Sequence, residues 1–292
     1  GGRVTPGKRM TLIVGDDVFD LSGIWQYAVT AEADRDCPFE DFVRWKPTGL
    51  YNAMLAPCFP YAVRAVLWYQ GESNTGDYAM RYGDELKAMI ELWRGKWHQP
   101  DMPFLIVQLP KFGIDAIEDG GWPLIREQEW RVADELEHVA AVVTLDAGES
   151  NDLHPHDKKT IADRAFNVAM DFVYGQQAQP QPVVETAEAD DGLLRMHCVW
   201  RNSMGEQMQS QNRHLMTLDG DVPREIDFLW HDCATSVRAE AWLDGCDIVA
   251  RIPSRMPDEV RYAWSNSPES GLICDGDGVL LPPFHLPLPM VD

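Results

Sequence analysis

The chain has 292 residues, a hydrophobic fraction of 45% and a formal net charge of −22. That length suits one large or two ordinary domains with a substantial core, and the composition is that of a folded protein. The acidic balance argues against nucleic acid as a partner, because phosphate neutralisation needs clustered Lys and Arg, and no apolar run reaches the roughly 18 residues of a membrane-spanning helix.

Near the start, Met10–Val14 and Val18–Leu21 read as short strands around the turn Gly15-Asp16-Asp17, and Ile24–Val29 alternates in the same way. Residues 30–49 are acidic and read as a loop, and Leu50–Pro60 reads as a short helix with its proline at the end. An α/β rhythm then begins. Ala62–Tyr69 is a small and branched apolar run, expected as a buried strand. Tyr82, Leu86, Met89, Ile90, Trp93 and Trp97 fall at helical spacing, with prolines at 100 and 103 beyond them. Phe104–Leu109 is a second buried strand, Pro123–His138 a second helix with proline in its first turn, and Ala140–Leu145 a third strand. Residues 159–174 are a third helix, with Gly175 suited to the position just past its end. Three strands alternating with three helices predict parallel βαβ units.

Gln176–Pro182 reads as a linker. Beyond it, Leu193–Trp200, Arg238–Leu243, Ile248–Ile252 and Arg261–Trp264 alternate between breaks, so residues 181–292 are expected as a small C-terminal β-rich module. Residues 31–180 are the expected α/β core, and residues 1–30 a separate β-rich piece.

Polar groups gather where the three strands end. Gln70, Gly71, Glu72, Ser73 and Asn74 follow the first, Gln108 the second, and Asp146, Glu149, Asn151, Asp152 and His154 the third. In an open parallel sheet these sets converge on one crevice. A loop His beside an Asp can act as general base, the carboxylate fixing the tautomer and stabilising the imidazolium. The same loop can equally be a helix lead-in capped by Asp157. Gln70 and Asn74 suit oxyanion or substrate hydrogen bonding, and Glu72 suits a prop for the loop. Ser73 lies in Gly71-Glu72-Ser73-Asn74, which is not a Gly-x-Ser-x-Gly elbow. Arg126 either faces the crevice or is a surface Arg paired with Glu127 or Glu129. His154, His156 and Asp157 lack a third strong ligand, so neither metal nor cofactor is expected. The six cysteines are widely spaced and too sparse for a disulfide scaffold, so free buried thiols are expected.

Trp68-Tyr69-Gln70-Gly71-Glu72-Ser73-Asn74, preceded by Leu50-Tyr51-Asn52-Ala53-Met54-Leu55-Ala56-Pro57, resembles the sialate O-acetylesterase family of SGNH-type hydrolases. Phe104–Leu109, Asn151-Asp152-Leu153-His154-Pro155 with Lys158, and Arg261–Asn266 follow in the family's order. The resemblance implies a three-layer α/β/α esterase that removes acetyl groups from sialic acid or related sugars by a metal-free Ser–His–Asp system. It matches His154 to the catalytic base and Asp152 to its partner. It also places Gln70 and Gly71 in the block that contributes to the oxyanion site. In the family the nucleophilic serine sits in an early block such as Gly-Asp-Ser, and no such block occurs here. Residues 1–30, with Asp20–Tyr27 as landmark, resemble the tail of a β-rich domain that some members insert after that block. The resemblance therefore implies that the N-terminal segment with the serine is missing, and that these residues alone hydrolyse esters poorly or not at all. It also implies a secreted, periplasmic or lysosomal-like compartment, although no signal peptide is present in this chain. Asp commonly stands three residues before the His in the wider superfamily; here that residue is Asn151, which leaves Asp146 as a reserve partner. The alternative is a non-catalytic carbohydrate-binding protein of the same fold, with Trp68, Trp122, Trp242 or Trp264 stacking on sugar.

Overall fold

The computed structural model describes residues 11–21, 23, 24, 26, 28, 46–113, 121–176, 179–208, 213–232 and 236–288. The chain forms two compact units, 1–60 and 61–292. In the first, β1 (Thr11–Val14) and β2 (Asp17–Asp20) make an antiparallel hairpin, turned at Gly15 with φ 61°. A helical turn at Tyr51–Leu55 runs into a 3-10 turn at Ala56–Cys58, which contains Pro57. Most of the acidic loop expected over 30–49 and half of the Ile24–Val29 run lie outside the described residues.

The second unit holds the α/β layers. Strands β3 (Val66–Trp68), β4 (Phe104–Val107) and β5 (Val139–Val142) pair in parallel, in the order β3-β4-β5. Helix α1 (Tyr82–Trp97) connects β3 to β4, α2 (Trp122–Glu135) connects β4 to β5, and α3 (Lys159–Phe172) follows β5. All four β4 residues are buried, as the apolar run predicts for a central parallel strand. Their alternation builds the layers. Phe104 and Ile106 pack with Leu86 and Ile90 of α1 and Ile125 and Val132 of α2, while Leu105 and Val107 pack with Ile161 and Ala165 of α3. Each such side chain contributes about 1.5–3 kcal/mol by leaving water. β3 is shorter than the expected Ala62–Tyr69. α1 stops before its prolines: His98 adopts a left-handed φ of 54° and donates its N–H to Gly95 O. Gly175, with φ 64°, closes α3 by donating to Asp171 O at 2.9 Å.

The remainder is all β. Strands β6 (Gln181–Asp190), β7 (Leu193–Arg201), β8 (Leu215–Thr217), β9 (Ile226–Leu229), β10 (Val237–Arg238), β11 (Ala241–Asp244), β12 (Asp247–Arg251), β13 (Glu259–Tyr262), β14 (Ile273–Asp275) and β15 (Phe284–Pro287) follow in order. They form two four-stranded antiparallel sheets, β11-β12-β7-β6 and β10-β9-β13-β15, and the pair β14-β8. Leu194, Met196, Trp200, Ile248, Phe228, Val260 and Tyr262 share one core, which Val143 and Leu145 join from beyond β5. The parallel layer and the β-rich module therefore pack together. The ten-residue β6 begins inside the expected linker and runs through an acidic stretch. It forms because every backbone partner lies on β7, with one bulge between Val184 and Thr186.

Candidate active site

The segment after β3 turns away from the sheet at once. Gly71 is buried, and Glu72–Asn74 form a single 3-10 turn. The turn is stitched locally. Gln70 Nε2 donates to Asn74 Oδ1 at 2.8 Å, and the Gly71 N–H donates to Glu72 Oε2 at 2.9 Å. From α1, the Tyr82 hydroxyl donates to Gln70 O at 2.5 Å and receives Trp68 Nε1 at 3.2 Å. Glycine at 71 is required by space. A Cβ there would meet Ile125 Cγ2 at 2.8 Å and Glu129 Oε1 at 3.3 Å. Gly71→Ala is expected to cost about 1–3 kcal/mol by overpacking, read as a shift of the urea midpoint; an unchanged midpoint would show that α2 yields freely here.

Arg126 does not open onto a crevice, and it is not a surface residue paired with Glu127 or Glu129. It is 0% exposed. Its Nε donates to Leu109 O at 2.7 Å, Nη2 to Pro110 O at 2.9 Å and Asn266 O at 3.0 Å, and Nη1 to Ser265 O at 2.8 Å. The guanidinium ties the end of β4 to the 265–266 segment. Burial lowers its pKa to about 10, so the group is charged at neutral pH.

One turn further along the same helix, Glu129 is also 0% exposed. Its Oε2 accepts the Leu109 N–H at 3.0 Å, and its Oε1 has no hydrogen-bond partner among the described residues. The buried amide of Gln108 stands beside the same strand end. Its Nε2 donates to Arg126 O at 2.9 Å, and its Oε1 is likewise unpartnered among the described residues. Burial raises the Glu129 pKa well above the ordinary carboxyl value, against the Leu109 N–H and Arg126, which lower it. Glu129 joins this site although its residue type and place in sequence do not single it out. The signal lies in the spacing: Trp122, Ile125, Glu129 and Val132 form one helical stripe, and Glu129 takes an apolar place in it.

A raised carboxyl pKa has a definite stability sign. The unfolded group ionises near about 4.3, while the folded group stays protonated above that. Its contribution is therefore complete below the unfolded pKa and is lost as pH rises towards the folded one. Wild type should lose up to about 1.4 kcal/mol per pH unit in that window from this residue, and Glu129→Gln should flatten the profile. Parallel stability–pH curves for the two proteins between pH 5 and 8 would refute this.

The segment after β5 carries His154, which is exposed, and Asp152, which is partly buried. Asp152 Oδ1 accepts the backbone N–H of His154 at 2.9 Å, and Oδ2 lies 3.6 Å from His156 Nε2. The carboxylate thus fixes the loop backbone. The His154 ring has no hydrogen-bond partner among the described residues. The helix lead-in reading also holds, since Asp157 Oδ1 accepts the N–H groups of Lys159 at 2.9 Å and Thr160 at 3.1 Å. Both oxygens of Asp146 are engaged by Arg164, which occupies the reserve carboxylate. Among the described residues no group of three His, Cys, Asp or Glu side chains is arranged to hold a metal ion.

The loops after the three strands meet at one sheet edge. Lys158 Nζ lies 5.2 Å from the centre of the Tyr69 ring, linking the segment after β5 to the end of β3. Burial, reinforced by Glu72 and Glu129, pushes the Tyr69 phenol up to about 12. The segments after β4 and β5 are laced by Lys111 N–H to Ala147 O at 3.0 Å and Gly113 N–H to Ser150 O at 2.7 Å. Gly148 permits this lacing: it has φ +85°, and a Cβ would come 2.9 Å from Lys111 O. The segment that begins with Gln70 thus leaves β3 where Lys158, four residues past His154, meets Tyr69, whereas Arg126 is fully enclosed.

Residues 40–164 match a family described as carbohydrate esterase, sialic acid-specific acetylesterase. The chain is 30% identical over 264 residues to sialate O-acetylesterase of Mus musculus, a match that covers 80% of this chain and 47% of that protein. It is 30% identical over 174 residues to the Homo sapiens protein of that name, covering 52% of this chain and 33% of that protein. It therefore spans about half, or less, of the length of the relatives it matches. Among solved structures, one described as a novel carbohydrate acetylesterase from Xanthomonas citri superposes with a TM-score of 0.71 at 30% identity, covering 81% of this chain and 53% of that one. Over residues 40–164 the chain matches the sialic acid-specific acetylesterase family of carbohydrate esterases, and the relatives and the solved structure it resembles are acetylesterases of sialate or carbohydrate.

Proposed function

We propose that this chain contributes the general base and the oxyanion side of a carbohydrate O-acetylesterase, acting on O-acetyl groups of sialic acid or a related sugar. The observation that carries this reading is the exposed His154, its ring uncommitted among the described residues, on the same sheet edge as Gln70–Asn74. In the proposed reaction a serine hydroxyl attacks the acetyl carbonyl and His154 takes its proton. No described serine hydroxyl is bonded to His154, and in this scheme the attacking serine comes from outside the described residues. Asp152 holds the base through its backbone and supplies negative charge near the imidazolium. The acyl oxygen is received by the Gly71 N–H and Gln70. Because that N–H rests on Glu72 Oε2 at 2.9 Å, substrate must displace a charge-assisted local bond before it binds. His154 then returns the proton to the departing sugar hydroxyl, and water releases acetate.

Acetate release from O-acetylated sialic acid, by the protein together with a segment that bears the attacking serine, tests the reading, with Ser73→Ala alongside. Acetate should appear, and Ser73→Ala should leave its rate unchanged. Sugar binding with no acetate release would instead favour a carbohydrate-binding protein, and abolition by Ser73→Ala would make Ser73 the nucleophile.

A further inference from the structure

Two thiols far from this edge face each other across the β-rich module. In the β7–β12 ladder Asp247 stands opposite His197 and Ile248 opposite Met196. The next step of that register sets Cys246 opposite Cys198, and the Cys198 N–H donates to Cys246 O at 2.9 Å. Directly opposed residues of an antiparallel pair project to the same face, with Cα atoms about 5.5 Å apart when hydrogen-bonded. That lies inside the roughly 4.4–6.8 Å that disulfides span, although cross-links at hydrogen-bonded positions need some backbone adjustment. Cys198 is 1% exposed and belongs to the module's core, and Cys246 packs against that core and is partly open. Both are free thiols, and the Cys246 thiol donates to Arg213 O at 3.3 Å. A cavity of about 450 Å³ is bordered by both cysteines with His197, Trp200, Gln207 and Met208. It gives a small molecule a route to the pair.

We propose that Cys198 and Cys246 form a modification site that a small disulfide such as oxidised glutathione closes into an intramolecular cross-link between β7 and the β11–β12 turn. The more open Cys246 thiolate attacks one sulfur of the small disulfide and expels one small thiol. The Cys198 thiolate then attacks the Cys246 sulfur of the mixed disulfide and expels the second. Two protein thiols are oxidised, one small disulfide is reduced to two thiols, and the two protons pass to the leaving thiolates. Burial pushes the Cys198 thiol up to about 12, so the second step is the slow one.

The test is to hold the folded protein at neutral pH in oxidised glutathione and follow intact mass and thiol content. Apart from any glutathionyl group on the exposed Cys58, the expected product has lost about two hydrogens, and its proteolytic map contains a peptide pair joined through Cys198 and Cys246. Cys198→Ser should stop at one glutathionyl group on Cys246. Wild-type protein that keeps both thiols free at equilibrium, retains the adduct on Cys246, or links either residue to a different cysteine would overturn the proposal. The wild-type map decides the matter even where the variant does not fold.

Discussion

Arg126→Met should lower the unfolding free energy by about 3–5 kcal/mol, a large share of the roughly 5–15 kcal/mol that holds a domain folded. The substitution keeps most of the side-chain volume and removes all four donated bonds. Pro110 O retains a second donor, Trp122 Nε1 at 2.7 Å. Asn266 O likewise retains the Phe112 N–H at 3.1 Å, while Ser265 O loses the bond that ties it to Arg126. An unsatisfied buried acceptor costs about 1–3 kcal/mol, and bonds from a charged donor are worth more than neutral ones. Relief of the guanidinium's own desolvation offsets part of the loss, so the four terms do not simply add. Arg126→Lys should also be destabilising, because a single ammonium has three donors and cannot reproduce the planar fork. Urea unfolding of the three proteins settles the point. A Met variant within about 0.5 kcal/mol of wild type would show that the carbonyls find other partners.

In the protein supplied with the serine-bearing segment, His154→Ala should reduce acetate release from O-acetylated sialic acid by about 10³–10⁴-fold with little change in stability. The two halves of that expectation have separate causes. An exposed ring without a hydrogen-bond partner among the described residues contributes little packing, so its removal leaves the fold intact. The proposed proton transfer has no other imidazole equally placed, since His156 already lies 3.6 Å from Asp152 Oδ2. Loss confined to kcat, with KM nearly constant, is the signature of an interaction made in the transition state. A His154→Ala protein that kept its rate would remove His154 as the base. An equal loss in His156→Ala would move the role one turn along the loop.

Local pattern carried much of the architecture. Phe104–Val107 is apolar without alternation because both its faces are covered, and that run alone announces a central parallel strand. The helical spacing of Tyr82, Leu86 and Ile90 likewise marks the buried face of α1 before any partner is known. The strand–turn–helix order also predicts that Gln70–Asn74 and Asp152–His154 lie towards one sheet edge, because parallel strands all end on the same side.

Partners distant in sequence could not be read this way. The carbonyls that hold Arg126 lie as far as 140 residues away, so an Arg early in a helix looks the same whether it faces solvent, substrate or backbone. The α2 stripe marks Glu129 as buried, but that Leu109 and Gly71 are what closes over it is set only by the packing. Acidic β6 has no strand pattern of its own and exists through its ladder with β7. Asp152 shows the same division most sharply. Its proximity to His154 is a property of the sequence, but the direction of its carboxylate, onto a backbone N–H and towards His156, was set by the fold of the loop. Periodicity and turn chemistry are local quantities and fix elements; burial and hydrogen-bond partners are sums over the whole structure, and only tertiary packing assigns them.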